Sequence, residues 1–140
     1  MQVPSVSLYA RDVKDEDGAQ EIDLCFSHFH FLSIIPIPDV TFMVECKNEA
    51  KKSSAAQVRE FGSKLRTRNL PIGIIVTAAG LSGRQGTHGH AAVRDELACG
   101  VAIIVVTADE VASLSSVLDL SSLLIDRLNE LRTYRGYRSV

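Results

Sequence analysis

Apolar residues recur along the chain in two rhythms. Over residues 20–26 (QEIDLCF) they alternate with polar ones, placing Ile22, Leu24 and Phe26 on one face and Glu21, Asp23 and Cys25 on the other, which predicts a half-buried strand. An aromatic and proline-containing connector (SHFHFLSIIPIP) leads to residues 40–47 (VTFMVECK), a second predicted strand. Over residues 54–68 the rhythm becomes helical: Ala55, Val58, Phe61 and Leu65 form one stripe, and Ser54 with Gln57 fits a capping box at the start. Residues 72–77 (IGIIVT) and 101–107 (VAIIVVT) are apolar on both faces, as in central parallel strands covered from either side. Between them lie a glycine-rich loop and a helix over about 90–99 ended by Gly100, which predicts a right-handed crossover. Thr107 with Glu110 offers another capping box, and Leu120, Leu123, Leu124, Leu128 and Leu131 mark a last amphipathic helix over about 120–134. The order strand, strand, helix, strand, helix, strand, helix predicts a three-layer α/β domain, with no internal repeat or low-complexity tract.

Length and charge narrow this picture. At 140 residues the chain suits a single domain with a real core, without a separate recognition domain. A formal net charge of −2 excludes a globally basic nucleic-acid binder, yet the charge is segregated. From Arg11 to Asp23, two basic residues face six acidic ones, whereas from Lys47 to His90 eight basic residues stand against only Glu49 and Glu60. A basic middle of this kind suits either a polyanion or an ordinary solvated helix face. Cys25, Cys46 and Cys99 match neither a zinc ribbon nor a disulfide framework and are expected as reduced core residues. The start, MQVPSVSLYARD, lacks a signal-peptide pattern, and no apolar run approaches the ~18 residues that span a bilayer. The expectation is a cytoplasmic protein without a membrane partner.

The chemically distinctive stretch is MVECKN, residues 43–48. Alternation puts Glu45 and Lys47 on one strand face and Val44 and Cys46 on the other. An ion pair there is a weak source of stability, since an exposed pair adds about 0–1 kcal/mol and a buried one often costs more than it returns. A carboxylate that holds a divalent metal, beside an ammonium that stabilises an attacking hydroxide or developing phosphorane charge, is what phosphodiester hydrolysis requires. Mg²⁺ needs a second acid. Asp39 follows Pro38 but continues into the same strand, and at roughly 3.3 Å per residue it would stand about 20 Å from Glu45. Asp23, on the polar face of the neighbouring strand, could converge with Glu45 across the ladder, with Glu21 as a helper on that face.

Together, Asp23 in EIDL, Glu45-Cys46-Lys47 in VECKN, and Gln57 and Phe61 in QVREFGSKL resemble the core of the PD-(D/E)xK nuclease superfamily. The continuation GIIVTAAGLSG, HAAVRDELACGVAIIVV and TADEVASL is similar to the Mrr-like restriction endonuclease branch, so the resemblance runs over about 18–114. It implies a restriction-endonuclease-like α/β/α core with a mixed central sheet, and metal-dependent endonucleolytic cleavage of DNA. Asp23, Glu45 and the backbone carbonyl of Cys46, whose side chain would face the core, would hold Mg²⁺ or Mn²⁺. Lys47 would position or activate the attacking water, and Gln57 would line the site. The family usually places a helix before the first strand; about twenty residues precede it here, so that helix is expected to be short or absent, and the connector is longer and more apolar than in the family.

The remaining features each carry two readings. Gln57 serves the capping box or the site. Lys51, Lys52, Arg59, Lys64, Arg66 and Arg68 contact phosphates in a nuclease or are solvated charges. Gly80, Gly83, Gly86 and Gly89 form a flexible loop whose spacing matches neither GxGxxG nor a P-loop. His28 with His30, and His88 with His90, are spaced as zinc pairs but lack a third ligand. The leucines of the last helix belong to the core or to a dimer surface. Cutting both strands of a duplex with one site per chain calls for a homodimer, or for a subunit of a larger defence or repair complex. Two rival functions stay open: a catalytically silent nuclease-like module that binds nucleic acid or a partner, and a nucleotide-binding regulatory domain using the loop 80–89.

Overall fold

The computed structural model describes residues 2–16, 18, 20–29, 34–84, 87–138 and 140. Its elements are, in chain order, β1 (Val6–Lys14), β2 (Glu21–His28), β3 (Thr41–Lys47), α1 (Ala55–Thr67), β4 (Ile72–Thr77), α2 (His88–Ala98), β5 (Ala102–Thr107), α3 (Ala108–Ala112) and α4 (Val117–Tyr134). The strands form one mixed sheet in the order β1-β2-β3-β4-β5; β1/β2 and β2/β3 are antiparallel, while β3, β4 and β5 are parallel.

The two buried strands behave as their apolar runs predict. Ala102 to Val106 are all buried, as are Ile72 to Ile75, so both faces of the parallel region are covered. One cover is α1, whose stripe Val58, Phe61 and Leu65 is buried. A side chain at Gly73 would run into Leu65 and Phe61, which fixes the face of β4 carrying residues 73, 75 and 77 as the one under α1. Packing of α1 against α2 is equally close: a Cβ at Gly62 would fall 2.3 Å from the carboxyl of Glu96, which is buried and ion-paired to Arg66. On the other side, Leu124, Leu128 and Leu131 of α4 join the core, so most of that leucine stripe is interior.

Each end of the sheet is finished differently. At β5, the Tyr137 hydroxyl donates to the Ile103 carbonyl at 2.6 Å and accepts from Val105 N–H at 3.2 Å, while Arg127 donates to the Val105 carbonyl at 2.9 Å. The C-terminal segment thus covers an edge that would otherwise offer unpaired backbone groups. At β1, the register slips at a bulge between Leu8 and Ala10, and Leu8 and Tyr9 are exposed.

Three differences from the sequence-based expectation stand out. The segment ahead of β2 forms a strand; the bulge after Leu8 shifts its parity, so Val6 and Leu8 share a face with Val13, which hides the alternation. The Thr107–Glu110 capping box opens a separate short helix, α3, and α4 starts from its own cap, Ser116, whose side chain accepts from Asp119 N–H. Of the cysteines expected in the core, only Cys25 is buried; Cys46 and Cys99 are exposed.

Candidate functional site

Register decides what meets at Glu45. In the β2/β3 ladder Leu24 faces Val44, and one further antiparallel step sets Asp23 opposite Glu45. In the parallel β3/β4 ladder Glu45 lies beside Ile75 and Lys47 beside Thr77, so both point to the face under α1. The shared face expected for Asp23, Glu45 and Lys47 is therefore present. Beyond Leu24 and Val44 the ladder stops, and Cys46 N–H donates instead to the Asp23 carboxylate at 2.8 Å. The N–H and C=O of one strand residue point the same way, so the Cys46 carbonyl faces this gap as well.

Cys46 itself corrects an expectation. Its side chain does point away from Glu45, but it is exposed rather than buried in the core, because α4 packs against β5, two strands away. Burial of its surroundings and the carboxylates of Asp23 and Glu45 push its thiol up, away from thiolate reactivity.

The larger correction concerns the amine. Glu45 is buried (1% exposed), and its Oε1 accepts a 2.6 Å hydrogen bond from Lys64 Nζ, a residue of α1 that is itself buried. Lys64 also lies 3.7 Å from Glu60. Lys47, half-buried, makes no salt bridge among the described residues, although its charge reaches Glu45. The pattern contained a signal for this: Lys64 stands three residues after Phe61, inside the apolar stripe of α1, where a solvated cation does not belong. Burial holds the Glu45 carboxyl above its ordinary range and the Asp23 charge adds to this, while the Lys64 bond and the charges of Lys64 and Lys47 pull it back. Its Oε2 is buried without a hydrogen-bond partner.

The helix above the site is less available than its charge suggests. Gln57 closes the capping box with Ser54, its Oε1 accepting from Ser54 N–H at 3.0 Å, and its amide nitrogen donates to Glu49 at 3.1 Å. Arg66 is ion-paired to Glu96, Arg68 donates to Gln20 and to the Lys64 carbonyl, and Arg59 lies 3.7 Å from Asp95. Lys64 cannot be the solvated phosphate contact expected of it, because it is spent on Glu45 beneath the helix. Lys51 and Lys52 are exposed in the loop after β3. Alongside Lys64 opens a cleft of about 540 Å³, lined by Lys14, Gly18, Gln20, Glu21, Glu60 and Ser63. Glu21, expected as a helper on the face of Asp23, lines this cleft.

The other candidates fare unevenly. His28 is buried, its Nε2 2.6 Å from the Asp39 carbonyl and its ring edge-on to Phe42, while His30 lies outside the described residues. His88 is exposed and His90 buried, so that pair does not present a common ligand face. In the loop 80–89, whose residues 85 and 86 are outside the description, Gly80 N–H bonds to Thr77, Ser82 N–H to Ser53, Arg84 N–H to Thr87 and Gly89 N–H to Ser82. These amides are consumed within the fold rather than held open as a phosphate cradle.

No family model matches this chain, and no curated protein matches it significantly. The site therefore rests on its own geometry. Among the described residues no three His, Cys, Asp or Glu side chains gather as a metal cage. Mg²⁺, however, is usually held by one or two carboxylates together with waters. An unpartnered buried oxygen on Glu45, a second carboxylate opposite it, and a carbonyl at the same gap fit that demand.

Proposed function

We propose that the chain is a metal-dependent endodeoxyribonuclease, a cytoplasmic enzyme of the PD-(D/E)xK type. One observation carries the reading: Asp23 and Glu45 stand opposite each other where β2 and β3 part, with Glu45 Oε2 buried and unpartnered. Asp23, Glu45 and the Cys46 carbonyl would hold Mg²⁺ or Mn²⁺. The bound ion would supply a Lewis acid for the phosphoryl oxygen and an activated water. Asp23 also fixes the end of β3 through Cys46 N–H, which keeps the gap open on its carboxylate side. Lys47 orients the attacking water and meets the negative charge that develops at phosphorus; unlike Lys64, it is not committed to a salt bridge among the described residues. Lys51 and Lys52 supply phosphate contacts beside the strand end. Double-strand cleavage would use two copies of the chain or a larger complex.

The test is incubation of the protein with supercoiled plasmid in Mg²⁺ or Mn²⁺. Nicking or linearisation is expected from the wild type. It should be absent with EDTA, in Glu45→Ala and in Lys47→Ala, the last with its melting temperature nearly unchanged. Full activity in Lys47→Ala would overturn this assignment of roles.

A second reading has an observation of its own. The Lys64 ammonium already neutralises Glu45 from within the fold, as a silent nuclease-like binding module would require. Nucleic-acid binding that persists in EDTA, without turnover under either metal, would select it.

A further inference from the structure

Away from Glu45, a cavity of about 190 Å³ lies between the start of α2 and the end of α4, and its wall includes His90, Arg94, Tyr134, Arg135 and Arg138. Three arginines line this small space in a chain whose net charge is −2, so their gathering is not a by-product of a basic composition. Their partners within the fold are few. Arg94 lies 3.7 Å from Asp95, with both side chains about half exposed, and Arg138 stacks on the Tyr134 ring with 3.6 Å from guanidinium carbon to ring centre. Glu130, the nearest acid on α4, accepts from Arg138 N–H and faces Arg127.

Two further observations point to a ligand. His90 is 7% exposed, and its Nδ1 is buried without a hydrogen-bond partner. The imidazole is also hydrogen-bonded to the Val140 backbone, and the Lys52 ammonium is near enough to act on it. Arg135, in turn, occupies the left-handed position that ends α4 (φ 58°), where glycine or asparagine is the usual residue. The turn has no need of an arginine, and the one that stands there lines the cavity.

We propose that this pocket binds a phosphate monoester, either as a small molecule or at the end of a nucleic-acid strand. A dianion compensates the mutual repulsion of the arginines, planar guanidinium forks match its oxygens, and the volume lies below the roughly 300–1,000 Å³ of sites for drug-sized ligands. The proposal is independent of the nuclease reading.

Calorimetry in EDTA, which removes any metal-borne phosphate binding at Glu45, tests it. The probes are inorganic phosphate and a short single-stranded oligonucleotide with or without a 5′-phosphate. Saturable binding of phosphate is expected, weakened about tenfold or more in R94Q/R138Q and less, but still measurably, in R94K/R138K, whose ammonium groups keep the charge without the planar fork. A phosphorylated oligonucleotide that binds about tenfold better than its unphosphorylated twin assigns the strand end; inorganic phosphate binding without that preference assigns the small molecule. Absence of saturable binding by either probe, or unchanged binding in R94Q/R138Q, overturns the proposal. Should that variant fail to fold, the His90 ring resonances of the wild type decide, since they must shift as phosphate is added.

Discussion

The decisive residue-scale event is the pairing of Glu45 with Lys64 instead of Lys47. A strand neighbour two positions along shares the face but points the same way, so its head does not turn back onto Glu45; a lysine on the covering helix reaches down to it directly. Because both partners are buried, removing one leaves an uncompensated charge. Lys64→Met should cost about 3–5 kcal/mol by urea unfolding at neutral pH, whereas Lys47→Ala should cost about 0.5 kcal/mol or less. Equal effects of the two substitutions would contradict the pairing. Legibility at this scale was partial. The sequence marked Asp23 and Glu45 as facing carboxylates through alternation, and the stripe position of Lys64 was visible. Which amine would be used was not, because two lysines of one type differ only in where the helix sets them.

At the scale of elements, side-chain caps and edge covers do what backbone propensity alone would not. Tyr137 covers the free edge of β5, and burial pushes its phenol pKa up, so it remains a neutral donor. Tyr137→Phe keeps the ring but orphans a carbonyl and an N–H, and should cost about 1–3 kcal/mol in urea unfolding; an unchanged midpoint would mean the edge is satisfied otherwise. Glu110 closes the cap of α3 and is ion-paired to Arg127. Burial alone would raise its carboxyl, but the Thr107 backbone hydrogen bond and the Arg127 charge outweigh it and hold the folded pKa below the unfolded value of 4.5. A depressed folded pKa favours the folded state above the unfolded pKa, and that contribution fades as pH falls through the folded pKa. The stability gap between wild type and Glu110→Gln should therefore be full at neutral pH and shrink below about pH 4.5, which unfolding curves across that range would register. The capping boxes of α1 and α3 were readable from four-residue spacings because a cap is local. The strand β1 was not, because a bulge inverts its parity midway.

For the whole molecule, the mixed sheet puts an antiparallel β2 against a parallel β3, and the candidate site sits where they separate. Strand pairing ends there while the helices continue to cover β3 from one side, so a carboxylate is desolvated next to an open gap. A divalent cation that binds only the folded chain would stabilise it by RT ln(1 + [L]/Kd), about 2.7 kcal/mol at a hundredfold excess over Kd. Thermal unfolding should thus shift upward with Mg²⁺ or Mn²⁺, and the shift should vanish in Asp23→Asn, whose amide oxygen can still accept from Cys46 N–H. A metal-independent melting temperature in the wild type would count against the metal site. Among the described residues no helix is long and apolar enough to cross a membrane, in agreement with the hydropathy pattern.

The sequence by itself determined the α/β class, the two buried parallel strands, the three longer helices, the capping boxes that open α1 and α3, and the shared face of Glu45 and Lys47, because alternation, helical period and capping act over a few residues. Tertiary structure alone decided that Lys64 neutralises Glu45, that Cys46 is exposed, that most of the basic helix is tied to acids and carbonyls of its own fold, and that three arginines from α2 and the chain beyond α4 line one pocket. Each of these depends on which face of one element another element covers, and that is set by register and packing between segments far apart in the chain.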